Sequence, residues 1–386
     1  MDKEKLRVGK IPGSATGIEV KKSICSICNP HSHCGLDLYV SDGEIVKVQG
    51  MEEHLNSRGT LCSKGASTRQ YVYHEDRLKA PMRRVGPRGS GQFEEISWEE
   101  AYRIIAERFN QLKEEEKPEQ ATFFVGYTKW MRPFVQRLAH TFGTPNYCTE
   151  SSTCFKAMQM AWILDYGAMA GPDLKNTRCL LNWTANPMYT NTTQAELLMN
   201  KKENGMKLIV VDPRLTPMAA MADIHLQLYP GTDGALALGL AHILIEKGWY
   251  DRDFIETYSH GFEDFKKYAG EFPPKRTAEI TGVPEALLYQ AAEMYSGTKP
   301  ASLMTSASSV VHHTNGLQNY RAIMLLAGMT GNFDVPGGNL AKGDSWLSAT
   351  AGFSTRAKEY VTPVPFEAMK SRIGFAELPV WMDLNY

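Results

Sequence analysis

The chain has 386 residues, 43% of them hydrophobic, which is enough to bury the cores of two or three soluble domains. Its 42 lysines and arginines nearly cancel 43 acidic residues, which excludes a strong overall attraction to nucleic acid or to an anionic membrane surface. The composition therefore favours a small-molecule substrate and no nucleic-acid partner.

The first residues carry no recognisable targeting signal. No apolar run approaches the roughly 18 residues that span a bilayer, and residues 1–7 lack both a hydrophobic region and a twin-arginine pair. We therefore predict a cytoplasmic protein with no direct membrane insertion. Residues 1–22 are polar and contain Pro12, Gly13 and Gly17, which predicts a flexible lead-in.

The pattern of elements further along predicts an α/β fold. Residues 36–49 alternate apolar and polar side chains around Asp42-Gly43, which predicts a β-hairpin. Ser97 and Glu100 form a capping box for a helix that ends before Pro118. Strands are predicted at 121–125, 179–183, 207–211, 223–228 and 301–306, and helices at 131–142, 154–165, 233–247, 284–296 and 319–327. This alternation indicates a largely parallel sheet.

Four of the seven cysteines fall close together, in the pattern Cys25-x2-Cys28-x5-Cys34-x27-Cys62. Three close thiolates with one distant thiolate favour a [4Fe–4S] cluster, because soft sulfur ligands suit iron. A structural zinc site is the alternative, although zinc sites more often use two CxxC pairs and this chain has one.

Three other side chains near these cysteines have open roles. His31 and His33 lie between the second and third cysteines, and either could replace a cysteine as a ligand or be a solvated loop residue. Lys64 follows Cys62 by two residues and is either a surface charge or an electrical bridge to a second cofactor.

Three motifs carry a family resemblance over about residues 23–342. They are Leu61-Cys62-Ser63-Lys64-Gly65, the segment 207–216 with Asp212-Pro213-Arg214, and Tyr229-Pro230-Gly231-Thr232-Asp233. In these motifs the chain resembles the molybdopterin-guanine-dinucleotide oxidoreductases of the DMSO reductase, formate dehydrogenase and acetylene hydratase type. The resemblance implies a [4Fe–4S] cluster, a bis-molybdopterin guanine dinucleotide cofactor and molybdenum or tungsten, with Lys64 between the cluster and the pterin.

The resemblance also implies a protein ligand to the metal. Family members place it in the stretch that corresponds to residues 143–154, and Cys154 matches it best, with Cys148 as runner-up. A helix that begins at Cys154 would stabilise the thiolate. Cys179 lies in an apolar strand and is interpreted as structural. His312 and His313 are candidate proton donors near the substrate, or ordinary core or surface histidines.

The resemblance further implies a set of cofactor-binding residues. They are Asn182, Trp183, Asn186, Asp212, Arg214, Thr216, Gly231, Thr232, Asp233 and Gly331. An aspartate at the carboxyl end of a strand can accept hydrogen bonds from a guanine or ribose edge, and residues 231–233 open a helix whose amides suit polar groups. The glycine-rich turns at 328–338 permit close backbone approach to a pterin, or serve as ordinary turns.

The sequence departs from the family pattern in the cluster loop and near the metal. The second and third cysteines are separated by five residues where the family usually has three. Phe155 and Lys342 stand where formate dehydrogenases have histidine and arginine, so formate oxidation is disfavoured.

The predicted architecture is a small N-terminal iron–sulfur domain followed by doubly wound parallel-sheet domains, with the family's C-terminal barrel domain absent. We predict the lead-in at 1–22, the cluster domain at 23–80, a partial pterin-binding domain at 81–145 and 300–386, and a dinucleotide-binding domain at 146–299.

Three functions are compatible with this architecture. The first is a two-electron oxidoreductase with electron relay through the cluster to an iron–sulfur electron-transfer subunit. The second is a non-redox hydratase of the acetylene hydratase type. The third is a non-catalytic cluster-carrying subunit that needs a separately encoded C-terminal half.

Overall fold

The computed structural model describes residues 10–28, 32–127, 131–312, 314–341, 370–372 and 374–377. Residues 1–9 of the predicted lead-in, His31, His313 and Lys342 lie outside the described residues. The chain divides into two compact units, the first formed by residues 1–148 and 356–379 and the second by residues 149–355 and 380–386.

The first unit begins with a three-stranded antiparallel sheet. Its strands are β1 (Glu19–Ile24), β2 (Gly35–Ser41) and β3 (Glu44–Gly50). Asp42 and Gly43 take the positive φ angles of a tight turn, which confirms the predicted hairpin. The predicted flexible lead-in at 1–22 is wrong for residues 19–22, because they belong to β1 and pair with β2. The sequence did not reveal β1 since its side chains are largely exposed and its order comes from backbone pairing.

The rest of the first unit consists of short elements around two longer helices. In chain order they are α1 (Ser63–Ala66), α2 (Thr68–Val72), β4 (Met82–Arg84), β5 (Phe93–Glu95), α3 (Trp98–Glu114), a 3₁₀ turn (Pro118–Gln120), β6 (Phe123–Val125), α4 (Arg132–Phe142) and β7 (Tyr147–Thr149). Ser97 Oγ accepts a hydrogen bond from Glu100 N at 3.1 Å, which confirms the predicted cap of α3. Phe109, Phe123 and Phe142 pack together with ring centroids 4.9–6.0 Å apart and form the core between α3, α4 and β6.

The second unit is built on a parallel sheet in the order β11–β10–β9–β12. Its strands, with a separate antiparallel pair, are β8 (Ala170–Pro172), β9 (Cys179–Trp183), β10 (Lys207–Val211), β11 (Ile224–Leu226), β12 (Ala301–Thr305) and β13 (Asn339–Ala341). The chain moves outward from β9 to β11 and then returns to the other side of β9, which creates a topological switch point between β9 and β12. Residues 81–145 and 300–386 were predicted to form one domain. That prediction is wrong for β12, because β12 belongs to this sheet.

Helices cover both faces of the parallel sheet. They are α5 (Phe155–Tyr166), α6 (Pro187–Thr190), α7 (Thr192–Glu203), α8 (Pro217–Ala220), α9 (Asp233–Lys247), α10 (Arg252–Tyr258), α11 (Phe262–Ala269), α12 (Pro274–Thr281), α13 (Glu285–Gly297) and α14 (Gly316–Met329). Leu181 and Ile209 face the core with α5, α9, α13 and α14, whereas Leu180 and Leu208 face the core with α7 and α8. Successive strand residues point to opposite faces, so nearly every residue of these strands is apolar. The predicted α/β fold with a parallel sheet is confirmed.

The helices α10, α11 and α12 were not predicted. Each has only seven or eight residues, too few for a strong helical periodicity. Among the helices of the described ranges, none is long and apolar enough to cross a membrane.

Candidate cluster and metal sites

The cysteines of the first unit lie at the ends of its sheet and at the start of α1. Cys25 N donates to Cys34 O at 2.9 Å and closes the loop between β1 and β2. Cys62 precedes α1, and its carbonyl accepts from Ala66 N at 3.0 Å. Burial raises the pKa of Cys34, and the nearby Cys25, Cys62 and Cys28 raise it further. The four predicted ligands are therefore close neighbours.

The arrangement of these thiols fits an iron–sulfur cluster. All four cysteines are free thiols. No three His, Cys, Asp or Glu side chains among the described residues converge closely enough to hold one metal ion. A [4Fe–4S] cluster takes one thiolate on each of its four irons, and these four free cysteines can supply them. A Cβ at Gly65 would lie 2.4 Å from Leu61 Cδ1 and 3.6 Å from Cys25 Sγ, so the start of α1 packs closely on Leu61 and lies beside that sulfur.

Two other residues predicted near the cluster have defined positions. His33 has a left-handed φ of 43° in the cysteine loop. Lys64 is exposed on α1. A ligand role for His33 and a bridging role for Lys64 remain predictions.

Cys154 lies in the second unit, between the 3₁₀ turn Glu150–Thr153 and helix α5. Cys154 N donates to Ser151 O at 3.2 Å. His312 Nε2 lies 2.8 Å from Thr153 O, the carbonyl that immediately precedes Cys154. The predicted metal ligand and one predicted proton donor therefore lie side by side, although 159 positions separate the two bonded residues.

A buried tyrosine also lies near Cys154. Tyr320 is fully buried on α14, and its hydroxyl donates to Ser306 O. Burial raises the pKa of Tyr320, and the neighbouring Cys154 raises it further. Tyr320 was not predicted as a site residue, because its proximity to Cys154 arises from the packing of α14 on α5.

The two remaining cysteines, Cys148 and Cys179, differ in environment. Cys148 is half-buried in β7. Cys179 is fully buried in β9, and burial raises its pKa to about 12. This position fits the structural role expected for Cys179.

The carboxyl end of β9 carries unpaired polar atoms at the switch point. Asn182 Nδ2 donates to Ala185 O at 2.7 Å, but Asn182 Oδ1 is buried without a partner in the described part of the chain. Both side-chain amide atoms of Asn186 are likewise buried and unpaired. Each such atom costs about 1–3 kcal/mol unless a ligand completes its hydrogen bond. Ligands of open α/β sheets bind at such a switch point, so these amides fit a polar dinucleotide.

The Asp-Pro-Arg segment forms a fixed turn at the same edge of the sheet. Asp212 Oδ1 accepts from Arg214 N at 2.8 Å, and the Asp212 carbonyl accepts from His225 Nε2 at 2.8 Å. Thr216 Oγ1 accepts from Ala219 N at 3.1 Å and caps α8. Arg214 is exposed on this turn.

The start of α9 is tied to the end of β9. Gly231 has a φ of 86°, and Thr232 Oγ1 donates to Tyr229 O at 2.7 Å. Asp233 accepts a hydrogen bond from the indole N–H of the fully buried Trp183 at 2.8 Å. These contacts give Trp183 and Asp233 a structural function, and their predicted cofactor contacts remain predictions.

Gly331 lies near the amino end of β12, and not at the carboxyl ends of the parallel strands. Its neighbour Asn332 accepts from Ala301 N at 3.0 Å, at the amino end of β12. The side chain of Asp251 fills the space that a Cβ at Gly331 would need. These contacts support the interpretation of Gly331 as an ordinary turn residue. Its cofactor role remains a prediction.

The sequence of the chain matches one family over most of its length. Residues 77–382 match the molybdopterin oxidoreductase family, and residues 18–74 match the molybdopterin oxidoreductase Fe4S4 domain. The chain belongs to the molybdopterin oxidoreductase family. The resemblance predicted from the motifs is therefore confirmed.

Several known members of the family are similar to this chain. "Probable oxidoreductase YoaE" of Bacillus subtilis is 32% identical over 84% of this chain and 48% of its own length. "F420-dependent formate dehydrogenase 2 subunit alpha" of Methanococcus maripaludis is 31% identical over 83% of this chain and 47% of its own. The structure of acetylene hydratase from Pelobacter acetylenicus has a TM-score of 0.77 at 27% identity, covering 92% of this chain and 49% of that one. The chain thus spans about half the length of the relatives it matches.

Proposed function

We propose that this chain is the cluster-binding and dinucleotide-binding part of a molybdenum- or tungsten-dependent oxidoreductase that acts on a small substrate. The observation that carries the proposal is the position of Cys154 at the start of α5, with His312 bonded to the carbonyl before it. When bound, the pterin-held metal supplies two-electron chemistry and the cluster supplies one-electron transfer.

In this proposal the chain's own residues hold and orient the groups. Cys25, Cys28, Cys34 and Cys62 hold the cluster. Cys154 is the protein ligand to the metal, and its place at a helix N-terminus stabilises the thiolate. The exposed imidazole of His312 can donate or accept a proton beside it.

The dinucleotide part of the cofactor is proposed to bind at the carboxyl ends of β9 and β10. Asn182 Oδ1 and both amide atoms of Asn186, which have no partner among the described residues, complete their hydrogen bonds with polar groups of the nucleotide. Asp212 accepts from a guanine or ribose edge, while Arg214 and the turn before α9 offer charge and free amides.

A further polypeptide segment is proposed to complete the enzyme, because the relatives are about twice as long as this chain. That segment is either a continuation of the chain or a separate subunit. An iron–sulfur subunit is the proposed electron partner, since one relative is itself a "subunit alpha". The cytoplasmic location remains part of the proposal.

Analysis of the chain purified without oxygen tests the cofactors. We expect about four irons per chain with inorganic sulfide, together with molybdenum or tungsten and guanine nucleotide. Zinc without sulfide would contradict the cluster assignment. Iron and sulfide without pterin would favour a non-catalytic, cluster-carrying subunit.

Cys154→Ala tests the metal ligand, with Cys148→Ala as the matched control. The first variant should lose substrate-dependent dye reduction, yet keep the absorbance of its cluster, because the cluster thiols lie elsewhere in the sequence. The control should keep both. Unchanged activity in Cys154→Ala would refute its assignment as ligand.

A non-redox hydratase is the second candidate, favoured by the likeness to acetylene hydratase over 92% of the chain. Product formation from acetylene with no electron transfer to an artificial acceptor would support this candidate. Reduction of the acceptor in step with substrate consumption would support the oxidoreductase.

A further inference from the structure

Residues 51–60 join β3 to the last cysteine and lie against the loop that carries Cys34. Gly35 N donates to Ser57 Oγ at 3.1 Å, and Asn56 Nδ2 donates to Ser32 O at 2.8 Å. Side chains from this one segment therefore hydrogen-bond to the backbone on both sides of Cys34.

Ser57 is itself held in place by hydrogen bonds. Ser57 is 1% exposed, and its hydroxyl lies 3.0 Å from His54 Nδ1. Ser57 N donates to the same ring nitrogen at 3.1 Å, so that nitrogen is an acceptor. The hydroxyl thus donates to His54 and accepts from Gly35, which leaves its rotamer little freedom.

Close backbone packing holds the segment in place. A Cβ at Gly35 would lie 2.7 Å from His54 Cβ, and a Cβ at Gly50 would collide with Gly59 O. Met51 N donates to Gly35 O at 3.0 Å. The segment is therefore packed directly against the backbone next to Cys34, and it ends two residues before Cys62.

We propose that residues 51–60 position Cys34 relative to Cys62, with Ser57 and Asn56 as positioning residues for the cluster. The inference rests on the proposed cluster site. Fixing the backbone on both sides of Cys34 presents its thiolate ready for iron, because loss of a group that orients a metal ligand typically lowers metal affinity about 10- to 100-fold.

Ser57→Ala and Asn56→Ala test this role in the full chain loaded with cluster under anaerobic conditions. We expect both variants to release iron to a chelator about tenfold faster than the parent. In Ser57→Ala the reduction potential should also change, since a less firmly held Cys34 alters the hydrogen bonds and solvent exposure of the cluster. Ser90→Ala is the control, because this exposed hydroxyl accepts from Gln92 N at 3.3 Å in the β4–β5 turn.

The outcomes separate this inference from the proposed function. Parental iron release and an unchanged potential in both variants would overturn the positioning role, even if their thermal stability falls. Asn56 is exposed, so its variant decides the question if Ser57→Ala fails to fold. A parent that binds no iron and sulfide would overturn the cluster assignment itself, and this inference with it.

Discussion

The hydroxyl of Tyr166 bridges two backbone groups in the last turns of α14. It donates to Met324 O at 2.7 Å and accepts from Gly328 N at 2.9 Å. The ring stacks on Phe333 at 4.2 Å. Burial raises the pKa of Tyr166, so the hydroxyl stays neutral and keeps both bonds at physiological pH. This single side chain therefore ties the end of α5 to the last turns of α14.

Tyr166→Phe should lower the free energy of unfolding by about 1–3 kcal/mol, because a buried N–H and a buried carbonyl lose their partner. Tyr289→Phe is the matched control, since its hydroxyl donates to Glu246 Oε2 at 3.2 Å on the exposed surface. A change below about 0.5 kcal/mol is expected there. Guanidinium denaturation of both variants measures the difference, and equal losses would contradict the proposed bridge.

At the scale of elements, α5 and α14 are joined by an ion pair as well as by apolar packing. Arg321 Nε donates to Asp165 Oδ1 at 2.8 Å, and the Asp165 side chain is 1% exposed. Burial raises the pKa of Asp165, and the opposing effect of Arg321 is smaller. Since α5 begins after Cys154 and α14 carries Tyr320, the pair helps to set the distance between those two residues.

Arg321→Met should cost about 2–3 kcal/mol at pH 7, because it leaves a buried carboxylate without its counter-ion. The folded pKa of Asp165 lies above its unfolded value, so its stabilising contribution is present below the unfolded pKa and is lost as pH rises through the folded pKa. The deficit of the variant should therefore shrink between pH 7 and pH 5.

Denaturation of the variant and parent at both pH values measures this effect. The double variant Asp165→Asn/Arg321→Met lacks the titrating group and should show no such dependence. A deficit that is the same at pH 7 and pH 5 would argue against a buried, unneutralised carboxylate.

At the scale of the whole molecule, apolar burial is distributed unevenly. The large buried clusters belong to the parallel sheet of the second unit. Within residues 10–80 the buried apolar side chains in the described part are few: Ile18, Cys34, Leu36, Val46 and Met51. A small region with so little apolar burial usually depends on a metal or on crosslinks for its stability. We therefore expect the cluster to stabilise this region.

Removal of iron by a chelator should speed amide hydrogen exchange in β1–β3 and in residues 51–60, because cluster binding is coupled to folding there. Strands β9, β10 and β12 should keep their protection, since their burial does not involve the cysteines of the first unit. Exchange followed by mass spectrometry before and after chelation measures both regions. Uniform loss of protection, or none, would contradict this division.

Elements with a local signal were predictable to within a few residues. The Asp42-Gly43 turn has its own φ preference, and the Ser97 cap satisfies neighbouring amides, so neither depends on distant partners. The strands at 179–183 and 207–211 have the predicted bounds because a short run with four apolar residues out of five suits a strand buried on both faces. By contrast, β1 was missed, and β12 was predicted as a strand but not as a neighbour of β9, because strand pairing is not encoded in sequence spacing.

The sequence by itself determined the α/β class, the four clustered thiols, Cys154 before a helix and the family. Only the tertiary structure decided that His312 bonds the carbonyl before Cys154, that Asn186 keeps unpaired amide atoms and that Gly331 lies at the opposite edge of the sheet from Asn182. The physical reason is the separation along the chain between the interacting residues. Turns, caps and apolar runs are fixed by neighbours within a few residues, whereas burial and hydrogen-bond satisfaction depend on partners that the fold brings from far along the chain.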